Sequence, residues 1–137
     1  IQNLIQLIKS KKLDEAEFKA RNLIEKNPRA LVVFDLLCKS LIGQNKVNEA
    51  ISIYKKAIQI DENFYTAYNN LGNLLKSKGK IDEAKFYYQK AIKIKPKFPT
   101  AYYNLGLTFL KIGKLNEAKT IFEKCIRSGR LGVCRDS

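Results

Sequence analysis

The stretch "GKIDEA", Gly79 to Ala84, decides the fold, because the chain writes it four times. "KKLDEA" ends at Ala16, "NKVNEA" at Ala50 and "GKLNEA" at Ala118, so consecutive alanines stand 34 residues apart. A fixed period of this length is the mark of a repeat architecture and constrains every local reading. Other columns keep the same interval: Leu37, Leu71 and Leu105; Leu41, Leu75 and Phe109; Tyr54, Tyr88 and Phe122. Small residues recur as well, with Cys38, Gly72 and Gly106 in one column and Ala57, Ala91 and Cys125 in another.

Each repeat divides into two amphipathic segments. In the third, Tyr68, Leu71, Gly72 and Leu75 fall at i, i+3, i+4 and i+7, which predicts a helix over roughly 65–78. Gly79 ends it, as a residue that takes positive φ without strain. A second helix is expected over about 82–94, with Ala84, Tyr88, Ala91 and Ile92 inward. Asp14, Asn48, Asp82 and Asn116 are expected as N-caps, whose side chains accept orphan backbone N–H groups. Glu15, Glu49, Glu83 and Glu117 follow in the first turn, where the helix dipole favours negative charge. Pro28 and Pro96 fall just after second helices. Gly72 and Ala84 are read as small residues on facing helices, letting the axes approach.

The pattern Tyr68-x-x-Leu71-Gly72-x-x-Leu75, then Ala84, Tyr88, Ala91 and Pro96, resembles a tetratricopeptide repeat. The fourth repeat matches it through Tyr102, Leu105, Gly106, Phe109, Ala118 and Phe122, and the second through Phe34, Leu37, Cys38, Leu41, Ala50, Tyr54 and Ala57. The first keeps Leu7, Ala16 and Pro28, with Ala20 in place of the aromatic. The resemblance implies an all-α right-handed superhelix of antiparallel helix hairpins. It also implies one array over residues 1–132 (repeats 1–30, 31–64, 65–98 and 99–132) and a tail at 133–137.

Catalysis has no support. There is no histidine, no Gly-rich phosphate loop between strand and helix, and no carboxylate cluster away from the capping positions. No cofactor or metal is expected, and no cysteine pair has metal-ligand spacing. Cys38 and Cys125 stand in small-residue columns and read as packed thiols, which suits a reducing, cytoplasmic setting. No stretch reaches the length of a membrane span and no signal peptide is visible; a first residue Ile1 reads as a processed or excised piece.

The formal charge of +13 comes mostly from lysines. Many, including Lys85, Lys90, Lys93, Lys95, Lys97, Lys119 and Lys124, fall on or beside second helices. They form either a solvated surface or a surface for an acidic partner. Nucleic acid is disfavoured, because these residues are not interleaved with exposed aromatics and arginine is scarce.

In the family that the chain resembles, first helices line a concave groove for an extended peptide. Carried over, the groove positions are Val32, Asp35, Leu36 and Lys39 in the second repeat. The third supplies Thr66, Asn69, Asn70, Asn73 and Lys76, and the fourth Thr100, Tyr103, Asn104, Leu107 and Lys111. An asparagine amide donates and accepts at once, so Asn70 and Asn104 would form two rungs of a ladder pairing with peptide backbone. The clamp by which relatives grip acidic chaperone tails is absent, since Thr66 and Thr100 stand where it needs lysine. Ile1, Ile5, Ile8, Val32, Leu36 and Ile42 make the first half apolar instead, so it either receives an apolar segment or is covered by preceding chain. The expected function is a non-catalytic scaffold or adaptor that binds a protein segment. The alternative is the substrate-presenting arm of a larger enzyme, such as a glycosyl- or sulfotransferase. The final stretch after Ser128 is too short for a capping helix. Apolar surface is therefore expected around Leu107, Leu110, Ile121 and Phe122, and with it self-association through this end.

Overall fold

The computed structural model describes residues 1–129, and among them all regular structure is helical. The helices are α1 (Gln2–Lys9), α2 (Leu13–Lys26), α3 (Leu31–Gly43), α4 (Val47–Ile60), α5 (Tyr65–Ser77), α6 (Ile81–Ile94), α7 (Pro99–Lys111) and α8 (Leu115–Ser128). They pair as four hairpins, and the chain divides into two compact units, residues 1–62 and residue 63 onward. In the first unit α3 packs on both α2 and α4; in the second α6 packs on both α5 and α7. Each hairpin therefore buries its inner face partly against its own partner helix and partly against the next hairpin of its unit.

One turn geometry recurs in every hairpin. Lys11, Asn45, Gly79 and Gly113 all have positive φ, at 34-residue intervals. The next residue, always a lysine, then closes the first helix: Lys12 N–H donates to Leu7, Lys46 to Leu41, Lys80 to Leu75 and Lys114 to Phe109, at 2.8–2.9 Å. That six-to-one bond is the Schellman closure. The same lysine then offers its carbonyl to the first bond of the second helix, for example Ala84 N–H to Lys80 at 3.0 Å.

This economy corrects the expected caps. Lys12, Lys46, Lys80 and Lys114 hold the N-cap place without a side-chain bond, and Asp14, Asn48, Asp82 and Asn116 lie one residue inside the helix from its first position. No residue remains between the closure of one helix and the start of the next, so there is no position for a separate cap. The acidic residues of the first turn keep their favourable place by the helix dipole, and Glu49, Asp82 and Glu117 also pair with Arg21, Lys85 and Lys114.

The small column works differently from the facing pair expected of Gly72 and Ala84. A Cβ on Gly72 would lie 2.7 Å from Cε1 of Tyr88, and one on Gly106 2.6 Å from Cε1 of Phe122. Each glycine thus seats the aromatic ring of its own second helix. In the first unit the column holds Cys38, a buried free thiol whose Sγ lies 3.6 Å from the Ala50 carbonyl. Cys125 is equally buried, its Sγ 3.2 Å from the Pro99 carbonyl. Cys134 and the tail at 133–137 lie outside the described residues.

Candidate functional site: the first-helix surfaces

In the second unit, the surface of α5 and α7 is built from amides. Asn69 is buried, and its Oδ1 accepts a hydrogen bond from Asn104 Nδ2 at 3.0 Å. The rung between these hairpins is therefore Asn104 to Asn69, whereas the one-period spacing points to Asn70. Asn104 keeps its Oδ1 and second amide hydrogen unengaged among the described residues. Asn70 is half-buried and itself engaged. Asn73 is exposed, and its Oδ1 accepts the Tyr88 hydroxyl. Burial pushes the Tyr88 phenol well above its usual pKa, so it stays a donor. Tyr103 is half-buried, its ring 6.2 Å from that of Phe122. Phe122 has no hydroxyl, and in its hairpin Leu107 stands where Asn73 stands one repeat earlier.

The first unit treats the same columns differently. Asp35 accepts the Tyr54 hydroxyl at 2.7 Å and pairs with Lys39 at 3.2 Å. Both groove residues are thereby engaged inside the unit. Leu36 is buried, so it belongs to the core rather than to a groove, while Val32 and Ile42 are exposed. The two hairpins of this unit are also stapled by Glu17. Its carboxylate accepts from Arg21 at 2.9 Å, from Gln44 at 3.0 Å and from Lys46 at 3.1 Å. Burial would raise its pKa, but the bonds from Gln44, Arg21 and Lys46 together hold it below the usual value. Sequence reasoning missed this node because its partners lie 27 and 29 residues away.

Lys76 and Lys111 close the second unit's surface, in the last turns of α5 and α7. Burial first, and the charge of Lys111 second, hold the Lys76 ammonium below the usual lysine pKa. Other lysines meet aromatic rings. Lys95 Nζ lies 4.6 Å from the Tyr65 ring centre and donates to its hydroxyl, Lys90 lies over the exposed Phe86 at 5.8 Å, and Lys85 over Phe109 at 5.6 Å. The premise that the basic residues avoid exposed aromatics therefore fails at Lys90.

At the last hairpin, Leu110, Leu115 and Ile126 are exposed, while Leu107, Ile121 and Phe122 are half-buried. Three of the four residues expected to be bare are therefore partly covered, Phe122 because its ring seats on Gly106.

The repeat profile described as "TPR repeat" matches residues 39–79 and 72–113, which together exceed half of the chain. The chain belongs to the tetratricopeptide repeat family. A further "Tetratricopeptide repeat" profile matches residues 99–128. Among solved structures, "Crystal structure of MamA" is 26% identical with a TM-score of 0.78, covering 92% of this chain and 78% of that one. "Functional Characterization of Pseudomonas Aeruginosa pilF" is 24% identical with a TM-score of 0.84, covering 96% of this chain and 60% of that one. No curated protein sequence matches the chain. Its fold class is the all-α TPR solenoid, and it is a protein–protein interaction module. Among the described residues no helix is long and apolar enough to cross a membrane.

Proposed function

We propose that the chain is a non-catalytic adaptor that holds an extended segment of a partner protein on the first-helix surface of its second unit. One observation carries this reading. Asn104 offers an acceptor and a donor unengaged among the described residues, beside the exposed amide of Asn73, on helices that carry no carboxylate. Paired donors and acceptors fit a peptide backbone whatever its side chains. The first unit offers less to a backbone, since Asp35 and Lys39 already satisfy each other.

A photo-crosslinking residue placed at Thr100, a groove position exposed at the start of α7, tests this directly. After irradiation in a lysate, crosslinks should map to one short stretch of a partner. The same group at Lys124, exposed on α8, should capture nothing recurrent. Equal capture from both positions would overturn the groove assignment.

A further inference from the structure

Among the described residues, the second unit contains cations without counterions. The described ion pairs are Arg21–Glu17, Arg21–Glu49, Lys39–Asp35, Lys46–Glu17, Lys85–Asp82 and Lys114–Glu117. Neither Lys76 nor Lys111 takes part. The helices that carry them, α5 and α7, touch directly and contain no Asp or Glu. The neighbouring acids at the starts of α6 and α8 include Asp82 and Glu117, already paired with Lys85 and Lys114. Lys76 is also half-buried, so water screens its charge less than at an open surface. Two like charges at adjacent helix ends attract an anion between them, and the carbonyl ends of both helices offset only part of that charge.

We propose that the space between Lys76 and Lys111 is a subsite for an acidic side chain, Asp or Glu, of the segment bound on the second unit. The inference rests on the groove reading and adds to it a chemical class of partner. Burial first and the charge of Lys111 second lower the pKa of Lys76, and a bound carboxylate would relieve the second of these. The site differs from the chaperone-tail clamp, whose cations would stand at Thr66 and Thr100. Asn104 and Lys111 are seven residues apart on α7, about 10 Å along the axis.

The probes are fluorescent nonapeptide pools, acetylated and amidated, random except for a central residue fixed as Glu or Gln. Anisotropy with the native chain should show the Glu pool binding about fivefold tighter. Lys76→Gln with Lys111→Gln should remove that preference while leaving the helical circular dichroism unchanged. Asn70→Ala with Asn104→Ala should weaken both pools alike and keep the ratio. A Gln pool with a free C-terminal carboxylate separates the two carboxylate sources. If it matches the amidated Glu pool, the subsite takes a chain terminus and the side-chain assignment is overturned. Equal binding of Glu and Gln pools by the native chain overturns the subsite and leaves the groove standing. If no pool binds, the groove reading itself fails, and the subsite with it.

Discussion

The two units share one repeat and use it differently. In residues 1–62, eleven basic side chains meet eight acidic ones; from residue 63 onward, fifteen meet five. The first unit spends its charges internally, through Glu17 and through Asp35 with Lys39. The second replaces Asp35 and Lys39 by Asn69 and Asn73 at the same columns and adds Lys76 and Lys111. What the hairpin needs for folding is a size pattern and a turn. The polar first-helix columns are free to vary, and their variation separates a self-satisfied surface from an open one.

The largest effect that can break this comparison is steric. Gly72→Leu should destabilise the protein by about 3 kcal/mol in urea unfolding, because even its Cβ meets the Tyr88 ring at 2.7 Å. The equivalent Cys38→Gly in the first unit removes a buried side chain instead, and should cost about 1 kcal/mol. A tolerated Gly72→Leu would mean that the ring seat is loose.

Next come the tyrosine hydroxyls. Tyr54→Phe leaves the Asp35 carboxylate short of one donor, and Tyr88→Phe does the same to an exposed amide that water can reach. Both should cost about 1 kcal/mol, the first more than the second. The reverse order would show that Lys39 alone satisfies Asp35.

Much of this was legible in the sequence, and the misses have physical causes. The helix ends expected near 78 and 94, and found at Ser77 and Ile94, follow from periodicity and glycine, because the spacing of large and small residues is local. Asn45 and Lys11 share the left-handed turn of Gly79, yet only glycine announces it. The caps were misplaced by two residues because a Schellman closure and a helix start can share one lysine. The Asn104–Asn69 rung and the Glu17 node depend on which neighbouring hairpin a side chain reaches, and no single period encodes that.

A smaller effect sharpens the first unit. The pKa of Glu17 is lower folded than unfolded, so its stabilisation is present above the ordinary carboxylate value of 4.5 and is lost as pH falls through the folded value. Glu17→Gln should therefore cost about 1 kcal/mol at neutral pH and nothing once the pH has fallen well below the folded value. A pH-independent difference would assign the effect to packing.

The smallest effect concerns Lys76, whose pKa is lower folded than unfolded. Its charge opposes folding below the folded value, and that penalty is relieved as pH rises toward 10.5, the ordinary lysine value. Lys111→Gln removes the second cause of the shift, so the Lys76 ammonium, followed by NMR titration, should move up. No movement would place the two charges too far apart to share an anion.

The central claim is that the second unit's first helices bind and the first unit's do not. Affinity for the Glu-centred peptide pool tests it, measured for Asn70→Ala with Asn104→Ala and separately for Val32→Ser with Ile42→Ser. The asparagine pair should lose roughly 1–3 kcal/mol of binding, and its thermal midpoint should also fall, because Asn104→Ala leaves the buried Asn69 Oδ1 without its donor. The serine pair should bind as the native chain does. If the serine pair loses the affinity and the asparagine pair keeps it, the partner lies on the apolar surface of the first unit, and the account is wrong.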